Sequence, residues 1–458
     1  MISIRETTEK IKIRIRNPAK LRNLELFLLL VAFGIAGAAI CLVQLGVNGT
    51  VDWWLLYLAG GLGVITFAMH IAMRFVAREA DPLILPIVTV LNGLGIAMIY
   101  RIDLAQNAAG WGSTGVRQIA WTALAMVIGF FVLVLIRNHR VLARFRYIAM
   151  LGAIVLLILP IIPGLGRRIN GAQVWINVAG STFQPGEIAK ILLAIFFAGY
   201  LMTARDSLSV GGRKFLWMRF PRMRDLGPLV IVWAASMFVL VFQRDLGTSM
   251  LYFGLFLVMV YVATGKSSWI VLGVFLVGAG GTAAYLTLGY VQRRIDGWIN
   301  AFSQQYYEAA GGSFQIVQGI FGMAQGGLLG TGLGQGRPQV TPYSQSDYIF
   351  ASLGEELGLI GVFAILALYL LLVSRGLRIG FNSPDDFTKL LGVGLSFVIA
   401  LQVFIVVGGI TRVIPLTGLT MPFLAAGGSS LLANWIICAL LLRLSDTVRS
   451  QRRMVVER

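Results

Sequence analysis

The chain has 458 residues, of which 57% are hydrophobic and 13% charged, with a formal net charge of +18 and a mean hydropathy of +0.80. A water-soluble protein of this length could not hide so much apolar side chain, so the composition excludes a soluble fold and points to a bilayer. The basic residues sit in short runs between apolar stretches rather than in one patch, which argues against nucleic acid and matches the cytoplasmic excess of Lys and Arg in membrane proteins.

Residues 1–23 form a basic N-terminus with Arg5, Lys10, Lys12, Arg14, Arg16, Lys20 and Arg22. The apolar run that follows lacks a small-residue cleavage site and reads as a signal anchor. The alternating Lys-Ile-Arg-Ile pattern is suited to anionic headgroups. Runs of spanning length begin near Leu24, Trp53, Pro82, Val116, Arg146, Gln184, Leu226, Gly247, Ser267, Tyr348, Phe387 and Met421. Each is about 17–25 residues, enough for a hydrocarbon core of about 30 Å. The expected fold is therefore an all-α polytopic membrane protein of about 12 transmembrane helices. Only Gln243 to Leu246 separate the seventh and eighth runs, which predicts a tight helical hairpin.

The loops orient the helices. With the N-terminus inside, every alternate loop is basic (Arg74 and Arg78; Arg137, Arg140, Arg144 and Arg146; Arg205 to Arg224; Lys266; Arg375, Arg378 and Lys389), and residues 446–458 are a basic tail. Both termini are expected in the cytoplasm. The outer loops also carry charge, and the segment 291–346 is the longest stretch expected to be soluble, with a glycine-rich run from Gly326 to Gly336. Loops of that length are usually functional or disordered. No internal repeat is visible, so an inverted-repeat transporter gains no support. Cys41 and Cys438 lie inside apolar runs, which argues against a disulfide or zinc site. His70 and His139 lie far apart in sequence, at predicted helix ends, where a metal or catalytic role is the weaker reading.

Four constellations lie toward the outer face. In Phe183 to Lys190, Glu187 and Lys190 share a helix face and can pair. In Gln243 to Thr248, Asp245 can cap the next helix or serve catalysis. Asp347 precedes the adjacent Glu355 and Glu356, which are costly in a membrane unless paired or wet; Arg101 and Arg412 are plausible partners. In Thr420 to Ser430, the sequence Gly427-Gly428-Ser429-Ser430 allows close helix packing or exposes amides to an anion. Outer arginines, carboxylates and a glycine-rich loop together suggest a phosphate-bearing ligand, which Arg suits through its planar donor fork.

These blocks resemble one family. Phe183-Gln184-Pro185-Gly186-Glu187-Ile188-Ala189-Lys190 resembles Phe-Gln-Pro-Ser-Glu-x-x-Lys, with Gly186 for Ser. Gln243 to Thr248 resembles Gln-Pro-Asp-Leu-Gly-Thr, with Arg244 for Pro. Asp347 to Gly358 and Pro415 to Ser430 resemble two further signatures. Together, over about residues 90–445, the chain is similar to the SEDS proteins (RodA, FtsW and SpoVE), with a leaning toward the RodA-like branch of actinobacterial type. The resemblance implies a ten-helix membrane domain over 81–445, two additional N-terminal helices over 24–80, and a large extracytoplasmic loop over 291–346.

The resemblance further implies a peptidoglycan glycosyltransferase of the bacterial plasma membrane, polymerising lipid II at the outer leaflet in elongation or division with inversion and release of undecaprenyl pyrophosphate. It implies a class B penicillin-binding transpeptidase as partner and leaves room for a divalent cation, Mg2+ or Mn2+. Its catalytic carboxylate is an Asp in the long loop; counting back from Phe314-Gln315, Glu308 stands at that position, one methylene longer. Glu308 is thus the expected base. Arg244, Asp245, Arg293, Arg294, Asp347, Glu355, Glu356, Arg412, Glu187, Lys190, Gly427, Gly428, Ser429 and Ser430 are the expected substrate contacts. A lipid II flippase and a catalytically inactive scaffold are the alternatives. A flippase would need a polar route at the midplane, whereas the polar residues gather on one side.

Overall fold

A computed structural model describes residues 18–456 except 109, 170, 179, 210, 216–217, 222–226 and 310. The N-terminal residues Arg5 to Arg16, together with Arg222 and Arg224, lie outside the described residues. The chain opens with α1 (Pro18–Asn48), α2 (Trp53–Val76), α3 (Ile84–Ala105), α4 (Thr114–Leu135) and α5 (Arg146–Ile158). An antiparallel sheet follows, ordered β1 (Gly166–Ile169), β2 (Ala172–Val178), β3 (Ser181–Phe183). Next come α6 (Pro185–Ser209), the hairpin β4 (Gly211–Phe215) and β5 (Met218–Pro221), α7 (Gly227–Phe238), α8 (Leu246–Thr264) and α9 (Ser268–Thr287). Three shorter helices, α10 (Gly289–Ile299), α11 (Gln304–Glu308) and α12 (Phe314–Gly326), precede α13 (Ile349–Phe381), α14 (Asp386–Ile410) and α15 (Gly428–Val456).

Among the described residues, eleven helices are long and apolar enough to cross a membrane. The stretch Val230–Gln243, α7 with a π-helical turn at its end, is a shorter apolar helix. Eleven of the twelve expected spans are thus matched by helices of spanning length and the seventh by this shorter helix, in a multi-pass, predominantly helical membrane protein. Helices α3, α14 and α15 are largely buried and form the middle of the bundle, whereas α5 and α9 turn most of their apolar surface outward, where lipid rather than protein would cover it.

One sequence expectation is corrected and two further features emerge. The last span begins at Gly428 rather than near Met421, because 421–427 forms a turn in which Phe423 takes φ 65°. The region 166–183 contains strands, with Gly171 (φ 82°) and Gly180 (φ 81°) supplying left-handed turn conformations that other residues rarely adopt. The segment 291–346 is largely ordered against the bundle: α12 and the glycine run pack on α13.

That packing explains the glycines. Helix α13 is broken at Gly358 (φ 66°), which frees backbone groups inside the apolar layer. The run 326–336 satisfies them: Thr331 and Gly332 amides donate to the Glu355 and Glu356 carbonyls at 3.0 Å each, and the Leu359 amide donates to Gly327 at 2.9 Å. A Cβ on Gly330 would meet the Glu356 carbonyl oxygen at 2.2 Å, so only glycine fits. Non-helical backbone at this depth is tolerated because protein surrounds it.

The end of the bundle holding both termini is tied by ion pairs. Arg22 and His70 bracket the fully buried Glu25, and Arg375 and Arg449 converge on Asp81. These bonds fasten α1 and α2 together and clamp the start of α3 to α13 and α15.

Candidate active site

At the opposite end, the turn before α8, helix α10, the start of α12 and the segments before α13 and after α14 enclose a cavity of about 570 Å³. Its charged lining is Arg244, Arg293, Arg294 and Asp347, and its aromatic lining is Tyr290, Phe314 and Tyr343. The β1–β2 turn contributes Gly171 and Ala172. Helix α10 is amphipathic, and its positions 290, 293, 294 and 297 fall on one face, which is the face turned to the cavity.

Each charged group is placed by local structure. Arg244 adopts φ 58° between the π-turn and Asp245, and its guanidinium lies 5.8 Å from the Tyr290 ring centre. Asp245 is the N-cap of α8, accepting the Thr248 amide at 3.0 Å and the Thr248 hydroxyl at 2.5 Å. Burial raises its carboxyl above the usual range against those hydrogen bonds. Arg294 donates to the Thr417 carbonyl at 3.1 Å, and Arg293 is exposed. Among the described residues, none of these three arginines is ion-paired with a carboxylate. Asp347 is half-buried, and burial pushes its carboxyl up to about 7, with the Arg294 charge and the Ser346 hydrogen bond opposing and Asp245 reinforcing the shift.

The other expected contacts lie elsewhere. Glu356 accepts from Arg101 Nε and the Gly334 amide, both at 2.8 Å, and Glu355 accepts the Arg337 amide at 2.5 Å. Both carboxylates thus hold the glycine-rich segment. Arg412 is not their partner: it donates to the Trp298 and Ile299 carbonyls at 2.8 and 2.7 Å, capping the end of α10 as a cation suits a helix C-terminus. Glu187 pairs with Lys190, which also donates to Gln402 at 2.9 Å and Asn434 at 3.4 Å. Asn434 donates in turn to Ser430 at 3.2 Å. Ser429 accepts the Gln184 amide at 2.9 Å, the Gly427 amide donates to Gln118 at 3.2 Å, and a Cβ on Gly428 would meet the Trp121 ring at 2.3 Å. These motif residues therefore join helices.

Glu308 ends α11, exposed, with its carboxylate accepting from Gln304 at 3.0 Å. Its sequence neighbour Ala309 lines the cavity, whereas Glu308 is not among the lining residues. Among the described residues no three His, Cys, Asp or Glu side chains cluster as a metal site. Tyr290, Phe314 and Tyr343 were not among the expected contacts.

The FtsW, RodA and SpoVE family of cell cycle proteins matches residues 82–450. The chain belongs to this family. It is 44% identical over 437 residues to the peptidoglycan glycosyltransferase RodA of Mycobacterium tuberculosis, covering 94% of this chain and 92% of that one. It is 31% identical to the stage V sporulation protein E of Bacillus subtilis, covering 80% and 98%. The fold is similar to that of Thermus thermophilus RodA (TM-score 0.54, 22% identity, 80% and 96% covered). It is also similar to a chain from a structure of a peptidoglycan synthase complex that coordinates polymerization and crosslinking (TM-score 0.63, 23% identity, 81% and 99% covered). The family match begins after α2, so the two N-terminal helices fall outside it.

Proposed function

We propose that this chain is a peptidoglycan glycosyltransferase that polymerises lipid II at the outer leaflet, with both termini in the cytoplasm. The observation that carries the reading is the cavity with three arginines that, among the described residues, form no ion pair with a carboxylate, a site suited to a multiply charged anion. In the reaction, the 4-hydroxyl of an acceptor sugar attacks the anomeric carbon of the donor with inversion. The bond to undecaprenyl pyrophosphate breaks, and that group leaves with the electron pair. Arg244, Arg293 and Arg294 stabilise the charge developing on it. Glu308, next in sequence to the cavity-lining Ala309, takes the proton of the attacking hydroxyl.

The proposed divalent cation, Mg2+ or Mn2+, would arrive on the pyrophosphate, as Mg2+ commonly does on phosphates. A class B transpeptidase is the proposed partner, consistent with the fold's likeness to a chain of a synthase complex.

The test is to give lipid II to the purified protein with its cognate transpeptidase and to resolve glycan strands by gel. Glu308→Gln should abolish product, and full activity in it would remove Glu308 from the base role. Lipid II crossing a vesicle bilayer without polymer would favour the flippase. No product from a well-folded wild-type complex would favour the scaffold.

A further inference from the structure

One residue of the cavity wall adopts a conformation its side chain disfavours. Tyr343 has φ 56°, in the left-handed region that suits glycine and is rare for bulky residues. The surrounding structure holds it there. Its carbonyl accepts the Ser346 amide at 3.0 Å, the Tyr348 amide at 3.2 Å and the Ser346 hydroxyl at 3.4 Å. The preceding Pro342 carbonyl accepts Gln315 Nε2 at 3.1 Å, and Tyr348 is fully buried as an anchor. Strain over-determined in this way is characteristic of ligand clamps.

The result is the placement of an aromatic ring. Tyr343 remains 45% exposed while lining the cavity, where Phe314 also stands, so a large apolar face meets solvent inside a polar site. Among the described residues its hydroxyl makes no hydrogen bond. A pyranose ring has one face of C–H bonds and a rim of hydroxyls, and such a face packs flat on an aromatic ring while the rim stays wet. The arginines come from α10 and the turn before α8, and Tyr343 from the segment before α13.

We propose that Tyr343 is the platform on which a hexopyranose ring of the substrate stacks, marking the sugar end of a cavity whose arginines take the pyrophosphate. This rests on the glycosyltransferase reading and makes Tyr343 a substrate-binding residue. Tyr343→Asn and Tyr343→Gly remove the ring while accepting a positive φ, so they preserve the backbone. Both should raise KM for lipid II about tenfold, with kcat within roughly twofold of wild type. Tyr343→Trp should keep the wild-type KM. An unchanged KM in the Asn and Gly variants, or a Trp variant as weak as they are, would overturn the platform. Affinity for lipid II in nanodiscs is measured on the same four proteins. A wild type that makes no glycan would sink the enzymatic reading alone, and equal affinity across Tyr, Asn, Gly and Trp would still overturn the platform.

Discussion

Glu355 and Glu356 stand on the same side of the bundle as Arg244, Arg293 and Arg294, yet the two groups are in opposite electrostatic states. The glutamates are closed: Glu356 is 1% exposed, held by Arg101, whose Nη2 also donates to the Gly336 carbonyl at 2.6 Å. The arginines are open: they face a cavity and have no carboxylate partner among the described residues. A buried charge persists only if paired, whereas a charge kept unpaired at a cavity wall is available to a ligand. Motif membership does not separate the two, since Glu355, Glu356 and Asp347 belong to one signature. Pairing does.

The largest expected effect falls on the closed group. Glu356→Gln or Arg101→Ala leaves one buried partner uncompensated, a loss of about 3–5 kcal/mol. Thermal unfolding in detergent should show a collapse in apparent Tm and yield. A variant melting like wild type would show that the pair is not what holds the glycine-rich segment. Next comes Arg294→Ala. Losing a charge-assisted contact to pyrophosphate should cut polymerisation about 10- to 100-fold. The accompanying loss of stability should be only about 1 kcal/mol, from the bond to Thr417. Arg293→Ala should lower activity less and leave Tm unmoved.

Asp347 sharpens the contrast through pH. Its carboxyl is raised from 3.8 to about 7, so the folded state holds the proton more tightly than the unfolded chain. Its contribution to stability is therefore greatest below 3.8 and declines as pH rises toward about 7. Above that point its negative charge joins the arginines and competes with an anionic ligand. Affinity for lipid II should weaken as pH rises through about 7, and Asp347→Asn should flatten that step in a binding titration. The same slope in both proteins would assign the titration to another group.

Much of this was legible before any coordinates. Uninterrupted apolar runs announced the spans, Asp245 three residues before Thr248 announced a cap, and the three-residue spacing of Glu187 and Lys190 announced their pair. Local rules suffice there. The choice between Arg101 and Arg412 as partner of Glu356 was not legible, because the true pair is 255 residues apart and is made by tertiary packing. The strands at 166–183 are short and punctuated by glycine, so periodicity was a weak signal. The cavity face of α10 was available, since Tyr290, Arg293, Arg294 and Gly297 recur at helical spacing, but a loop reading of 291–346 concealed it. Tyr343 carried no such signal: its position depends on a backbone conformation that aromatic residues rarely adopt.

The smallest expected effect is the stability change in Glu308→Gln, and it matters because it is small. Glu308 is exposed, and its one recorded hydrogen bond is the i,i+4 contact from Gln304. Such pairs are worth about 0.3 kcal/mol, so Tm should stay within experimental error of wild type. Glutamine keeps the shape and an acceptor oxygen while removing the ability to take a proton. Loss of glycan with an unmoved Tm would therefore report on chemistry alone, which no substitution at Glu356 can do. If Glu308→Gln instead destabilised the protein as Glu356→Gln does, its carboxylate would belong to the closed group, and exposure would no longer distinguish a reacting residue from a structural one.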